Sequence, residues 1–436
     1  MVRQRVGLLM PRRRPREIHR QQGTLTPSWL GYAPWAVLAA HSLLALAYNL
    51  ATPFGNNGYP NTPDEGAHFQ YVAYVAQEWR LPKFEGYAGV GYEAHQPPLY
   101  YFLAAIIYAL SGGEGKAVRL LSTLCSAGVV WLVWRTLQRL APERPLVALA
   151  GMGFAAFVPM HLAVGSAVGN DALTNLLFAA TLYALLVYLR DGRHWLVPSV
   201  LAGLAILTKA TGVLLAPLVL MGVLWGVRLQ GGAWAVGLKT AGLALTIIAT
   251  LSGWWLARNA LLYGDPLLQR TFLEVFAGTA KAQDFLERGM SWAQYAQLVV
   301  DWTFRSFWFA YGVPETARTG LPNFLPDSVY YGLGALTLGA GAGFVVRLRE
   351  ASPVWARVWL LLAGACLLLT LISFVLFVRV FFQTQGRYFY PALLPISVFW
   401  ALGWERLLPE RSRAAGLIGM TALMFALALG CLRYLG

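Results

Sequence analysis

Pro97-Pro98-Leu99-Tyr100-Tyr101-Phe102-Leu103-Ala104-Ala105-Ile106-Ile107-Tyr108-Ala109-Leu110-Ser111 is the stretch on which the topology turns. It is apolar throughout, yet at about 1.5 Å per residue such a helix falls short of the roughly 30 Å hydrocarbon core of a bilayer. A segment of this length suits an interfacial or re-entrant helix better than a crossing. Charge decides between the two. If 97–111 stays on one side, the Arg135, Arg139 and Arg144 cluster falls on the same side as the N-terminal arginines, and so do the other short basic loops. All of the chain's +14 net charge then lies on the cytoplasmic face, as the positive-inside rule requires. If it crossed, that cluster would be exported.

Working outward, apolar runs long enough to cross stand at 34–52, 118–138, 145–164, 171–190, 194–210, 211–228, 234–262, 327–347, 355–378, 388–405 and 414–433. Composition agrees: 57% of the residues are hydrophobic, only 12% are charged, and mean hydropathy is +0.53. A soluble globular chain carries about twice that share of charge. The reading is an all-α integral membrane protein with about 11 transmembrane helices and amphipathic juxtamembrane helices in its long outer loops. The N-terminus is placed inside and the C-terminus outside. The basic excess is accounted for by topology, so no nucleic-acid partner is implied. Cys125, Cys366 and Cys431 all fall in apolar runs, and they imply no disulfide framework.

The expected organisation is a basic cytoplasmic tail (1–33), an N-terminal transmembrane module (34–262) whose first outer loop spans 53–116, an outer aromatic loop (263–326), and C-terminal transmembrane helices (327–436), with no soluble domain. Inner loops are short and two outer loops are long, so function is expected on the outer side. The second outer loop holds Trp292, Trp302, Phe304, Phe307, Trp308, Phe309 and Tyr311. These residues read either as an interfacial belt or as the wall of a cavity for a lipid substrate.

Several polar residues in this apolar chain sit where chemistry can be done. Pro63-Asp64-Glu65 reads as a helix start with two carboxylates in its first turn, and Asp64 and His68 share a face at i and i+4. The bland account of Asp64 is a helix cap, and the same account covers Asn170-Asp171. Further along the first loop, Glu93, His95 and Gln96 precede the double proline. Asp64, His68, Glu93 and His95 are of the types that ligate a divalent cation, at a spacing that matches no metal motif. No other cofactor is implied.

Lys209 stands at the apex of an apolar hairpin, Trp195–Arg228, whose arms are too short to lift it clear of the bilayer. A charge at that depth marks a functional site by default; the competing account is a lysine snorkelling to the headgroups. Arg258 closes one long span and Arg387 opens another, both on the outer side. Three cations near one membrane surface, opposite Asp64 and Glu65, suit a phosphate bound at the lipid boundary.

Taken in order, Pro63-Asp64-Glu65 with His68, then His95-Gln96-Pro97-Pro98-Leu99-Tyr100-Tyr101, then Asn170-Asp171, then Gln385-Gly386-Arg387-Tyr388 resemble the GT-C membrane glycosyltransferases. The bacterial branch related to protein mannosyltransferases and aminoarabinose transferases is the most similar. The resemblance runs over nearly the whole chain to about residue 405. It implies a sugar donor on polyprenyl phosphate and an acidic catalytic residue in the first outer loop. Asp64 or Glu65 would then be the base of an inverting hexosyl or pentosyl transfer to an acceptor hydroxyl. His68, His95, Gln96, Asn170, Asp171, Lys209, Arg258, Arg387 and Tyr388 would bind substrate and phosphate. The aminoarabinose branch has His-Lys-Pro-Pro where this chain has His95-Gln96-Pro97-Pro98, which leaves the cationic role to Lys209 and Arg387. Expected partners are the lipid-linked donor, a lipid, glycan or protein acceptor, and membrane lipids. The expected location is the bacterial plasma membrane with the site facing outward. Two other readings fit the same spans: a transporter or flippase for lipid-linked sugars, and a non-catalytic envelope-assembly protein.

Overall fold

Helices dominate the computed structural model, which describes residues 28–55, 61–312 and 321–435. Most of the predicted basic tail therefore lies outside the described residues. In chain order the helices are α1 (Ala33–Ala51), α2 (Glu65–Glu78), α3 (Leu99–Leu110), α4 (Gly115–Leu140), α5 (Pro145–Phe157), α6 (Pro159–Val164), α7 (Asp171–Asp191), α8 (Leu196–Ile206), α9 (Leu215–Leu229), α10 (Trp234–Tyr263), α11 (Gln269–Val275), α12 (Ala282–Glu287) and α13 (Trp292–Trp308), followed by α14 (Asp327–Arg347), α15 (Val354–Val378), α16 (Leu393–Leu407) and α17 (Glu410–Cys431). The described sheet is one two-residue pairing, β1 (Ala310–Tyr311) against β2 (Asn323–Phe324), antiparallel with Ala310 opposite Phe324.

Among the described residues, eight helices are long and apolar enough to cross a membrane. The remaining three of the expected eleven segments take other forms. The run 145–164 is broken into α5 and α6, 194–210 becomes the short α8, and 388–405 begins as a 3-10 turn, Gly386–Ala392, before α16. Pro97–Ser111 forms α3, a helix of 12 residues, about 18 Å long. It buries Tyr100, Tyr101, Ala104 and Ala105 and leaves Leu110 exposed.

The break between α5 and α6 has an identifiable cause. Pro159 has no N–H to give the carbonyl of Ala155, and Val158 is extended at φ −67°, ψ 115°. The helical ladder resumes when Leu162 N donates to Val158 O. The two carbonyls before the break are taken by histidines: His161 Nδ1 donates to Ala155 O and His41 Nδ1 to Ala156 O, each at 2.8 Å. Without these donors two buried carbonyls would be unpaired, at about 1–3 kcal/mol each.

The first outer loop is held down by one buried ion pair. Arg119 on α4 and Glu65 at the start of α2 are both fully buried. Arg119 donates twice to the Glu65 carboxylate at 2.6 Å, and its remaining N–H groups go to the carbonyls of Asn49 and Thr52 at 2.7 and 2.9 Å and of Pro53 at 2.9 Å. Those carbonyls are what α1 leaves unpaired where Pro53 ends it. One guanidinium thus caps α1 and ties α2 to α4.

Candidate active site

Five side chains, from five separate parts of the chain, meet where the start of α2, the 3-10 turn Tyr92–His95, α7, the α8–α9 apex and the turn before α16 converge. Tyr92 Oη donates to Asp64 Oδ1 at 2.9 Å. Arg387 Nη2 donates to Asp64 Oδ2 at 3.2 Å, and its Nη1 donates to Asp171 Oδ2. Lys209 Nζ donates to the other oxygen, Asp171 Oδ1. Acid and base alternate along this chain: Asp64, Arg387, Asp171, Lys209.

Local backbone sets each position. Asp64 precedes α2 in the left-handed region, φ 60°, ψ 14°, and makes no side-chain cap. Aspartate is one of the few residues that tolerate this conformation. The carboxylate is thereby turned away from the α2 N-terminus and toward Tyr92 and Arg387, so the cap reading does not hold for Asp64. Asn170 does not cap α7 with its side chain either. Its Nδ2 donates to Gln96 Oε1 and to Thr208 O, joining the segment before α3 to the Lys209 apex. Leu99 N donates to Leu207 O at 2.9 Å across the same junction. Gly386 must be glycine, because a Cβ there would lie 2.2 Å from the backbone nitrogen of Phe307. That close approach, with Gly386 N donating to Ser306 Oγ at 2.8 Å, places Arg387 over Asp171.

Exposure is graded through the cluster. The Asp64 side chain is 33% exposed, Asp171 and Lys209 are 17%, and Arg387 is 6%. Asp64 is therefore the most accessible of the four and Arg387 the least. Lys209 carries three N–H donors and Arg387 five, more than the two carboxylates and Gln385, whose Oε1 accepts from Arg387 Nε, take up.

The other expected residues fall around this core with different duties. Glu65 is occupied: besides Arg119, its oxygens accept from Val168 N at 2.9 Å and Gly55 N at 3.0 Å. Arg258 is placed apart from the cluster, with Nη2 on Pro82 O at 2.6 Å and its guanidinium over Trp255. Tyr388 lies under the Arg387 guanidinium, 5.2 Å from ring centroid to Cζ. His68 Nδ1 meets Tyr101 Oη at 2.7 Å and lies 3.7 Å from Glu93 Oε2. His95 Nδ1 donates to Tyr92 O at 2.6 Å, and its ring sits among Phe84, Phe272 and Phe276. Of the four residues suggested as cation ligands, His68 and Glu93 face each other, while Asp64 is bonded to Tyr92 Oη and His95 to Tyr92 O. Among the described residues no group of three or more His, Cys, Asp or Glu side chains is arranged to hold a metal.

Tyr92 and Arg119 escaped sequence reasoning. Arg119 carried a readable signal, a charge one residue inside an apolar run. Tyr92 carried none, since its partner lies 28 residues away.

Burial pushes His95 down to about 4 against the pull of its bond to Tyr92 O, and it lowers His68 as well. Histidine in an unfolded chain titrates near 6.5. Between about 6.5 and 4 the unfolded chain binds the extra proton, so this contribution to stability is lost as pH falls through that window. Burial raises Glu93, which acts oppositely: its contribution is present at low pH and fades as pH rises above the ordinary carboxylate range. His95→Asn, which keeps a donor for Tyr92 O, is expected to flatten the acid side of the profile. Thermal midpoints in detergent from pH 7 to 4 check this; an unchanged acid slope would contradict it.

Helices α13, α14, α15 and α16 line an open cavity of about 680 Å³ walled by aromatic and aliphatic side chains, Trp292, Phe307, Trp308, Phe374 and Phe389 among them. Of the aromatic residues named in the second outer loop, Trp292, Phe304, Phe307 and Trp308 line it, and Trp302, Phe309 and Tyr311 do not. Of its lining residues, Phe389 is two residues from Arg387 and Phe374 packs on Tyr388, while Arg387, Asp171 and Lys209 do not themselves line it.

Residues 95–255 match the family model described as dolichyl-phosphate-mannose-protein mannosyltransferase. That segment includes Asp171 and Lys209 but neither Asp64 nor Arg387. No curated protein matches the chain by sequence. Solved structures are similar over nearly all of it. The Archaeoglobus fulgidus oligosaccharyltransferase superposes with a TM-score of 0.55 at 14% identity, covering 92% of this chain and 56% of that one. ArnT from Cupriavidus metallidurans gives 0.53 at 16% identity, covering 89% and 63%, and has also been solved bound to undecaprenyl phosphate. The Mycobacterium smegmatis arabinosyltransferase EmbB gives 0.51 at 12% identity, covering 95% and 39%. The chain therefore spans less than two thirds of the length of each. At these identities the likeness establishes the fold alone: an all-α membrane architecture shared with these three structures.

Proposed function

We propose that the chain is a membrane glycosyltransferase that moves a hexosyl or pentosyl group from polyprenyl phosphate to an acceptor hydroxyl. The observation that carries this reading is the alternating array Asp64–Arg387–Asp171–Lys209, in which Asp64 is the most exposed side chain and both cations are held on Asp171. The reaction needs one carboxylate at the acceptor and cations at the leaving phosphate, and the array offers that polarity.

In this mechanism an Asp64 oxygen takes the acceptor's hydroxyl proton as the acceptor oxygen bonds to the anomeric carbon. The bond from that carbon to the phosphate oxygen breaks, and its electron pair leaves with the polyprenyl phosphate. Lys209 and Arg387 stabilise the charge that develops there. Attack opposite the phosphate inverts the sugar. The incoming phosphate competes with Asp64 for Arg387, whose bond to Asp64 is the long one at 3.2 Å, and so frees the carboxylate to act as base when donor is bound. The polyprenyl tail occupies the aromatic cavity. Asp171 holds Lys209 and Arg387 at one spacing and limits the site's net positive charge. Glu65, saturated by Arg119, is assigned no proton transfer.

The positive-inside distribution supports an outward-facing site in a bacterial plasma membrane, and ArnT, of the same fold, binds undecaprenyl phosphate. The test is turnover. Purified chain in liposomes, given a polyprenyl-phosphate sugar and a panel of lipid, glycan and peptide acceptors, is expected to release free polyprenyl phosphate by mass spectrometry. Movement of intact donor between leaflets with its sugar still attached would favour a flippase and overturn the reading.

A further inference from the structure

The histidines at the α5–α6 break do more than satisfy two carbonyls. A carbonyl oxygen can only accept, so the Nδ1 of both His41 and His161 must carry the proton. In the neutral rings each Nε2 is then an acceptor, and both face the same hydroxyl: Ser126 Oγ lies 2.9 Å from His41 Nε2 and 3.4 Å from His161 Nε2. Ser126 has one proton for the two, and the shorter distance gives it to His41. All three residues are buried, and they come from α1, α4 and α6.

The segment leading out of α6 is an arm of the candidate site. Gly165 presses on Ser126, since a Cβ at Gly165 would lie 2.7 Å from the serine Cβ and Oγ. Ser166 Oγ lies within hydrogen-bond distance of Leu162 O at 2.7 Å and of Ala45 O on α1 at 2.8 Å, Val168 N donates to Glu65, and Gly169 N donates to Tyr100 Oη at 3.0 Å, after which Asp171 begins α7. His161 also packs edge-on against Tyr390, ring centroids 5.7 Å apart, three residues beyond Arg387. The two partners of the central ion pair, Asp171 and Arg387, are both built out from elements this cluster touches.

We infer that His41, Ser126 and His161 form a buried clamp whose Nδ1 donors hold the helix break at Pro159 and thereby position Asp171 against Arg387 and Lys209. The three are positioning residues: they lie behind the site and touch no reacting atom. This inference rests on the glycosyltransferase reading for its kinetic readout and on geometry alone for its spectroscopic one.

Asparagine carries its amide nitrogen as many bonds from Cα as histidine carries Nδ1, and glutamine carries it at the distance of Nε2. His161→Asn and His41→Asn therefore keep the donor to the carbonyl, while the glutamine variants lose it. The expected result is a donor KM within about threefold of the native value for the asparagine variants and raised about tenfold or more for His161→Gln, as for other small displacements of a binding constellation. Equal donor KM in the Asn and Gln variants would overturn the proposal. The second measurement needs no turnover. ¹⁵N-histidine spectra of the protein in detergent, with the His41 and His161 signals assigned by their loss in the His41→Asn and His161→Asn variants, are expected to show both of these rings protonated at Nδ1 with unprotonated Nε2; an Nε2-protonated ring at either position would overturn the clamp. If the native chain transfers no sugar, the glycosyltransferase reading fails while the spectra still decide the clamp.

Discussion

Asp64→Asn is expected to lower turnover of the polyprenyl-linked donor by roughly 10²–10⁴-fold, the usual contribution of a positioned general base. The substitution is nearly isosteric. The asparagine Oδ1 can still accept from Tyr92 or Arg387, so the left-handed turn at residue 64 and the Arg387–Asp171 pair should persist. Donor binding, read by co-purified or added lipid, is expected to stay within a few-fold, and thermal stability to change little. The loss should fall on kcat, because the removed interaction acts in the transition state. Glu65→Gln would mark the other possibility. If Asp64→Asn turns over normally, Asp64 is not the base, and its neighbour becomes the residue to examine.

Removing Arg119 is expected to have the largest effect on stability. Arg119→Met leaves the Glu65 carboxylate fully buried, with Val168 N and Gly55 N as its remaining donors. Breaking one side of a buried pair typically costs about 3–5 kcal/mol, whereas replacing both sides by apolar groups is often nearly neutral. The double variant Arg119→Met/Glu65→Leu should therefore recover much of what the single variant loses, apart from the α1 carbonyls that Arg119 caps. Chemical unfolding in detergent measures both. A single variant as stable as the native protein would contradict the role given to the pair. The same lesion should also reduce activity, because Glu65 holds the segment that orients Asp64.

How far the sequence carried these conclusions differs from residue to residue. Lys209 stands out in the sequence because two short apolar arms flank it, and the structure brings it to Asp171. Arg258, read from the sequence as another outer-side cation, is instead bonded to Pro82 O, since position along a span says nothing about position around the helix bundle. Asp64 and Glu65 are neighbours of equal charge, and only burial separates them: one faces the cations, the other is saturated by an arginine 54 residues away. The bland helix-cap reading of Asp64 failed for a conformational reason, a positive φ that no spacing argument reveals. Eleven apolar runs were visible, but hydropathy does not register a backbone break, so 145–164 looked continuous until Pro159 met the two histidines. Those histidines drew no notice because each, taken alone, is an ordinary buried residue.

The central claim is that a lipid-linked phosphate sits between Lys209 and Arg387 with Asp64 on its solvent side. A density map of the chain reconstituted with undecaprenyl phosphate tests it directly. The account predicts phosphate density within hydrogen-bond distance of Lys209 Nζ and the Arg387 guanidinium, with the isoprenoid chain running into the aromatic cavity beside Phe389. Phosphate bound elsewhere, for example at Arg379 on the cavity rim with the Lys209–Asp171–Arg387 array undisturbed, would contradict it.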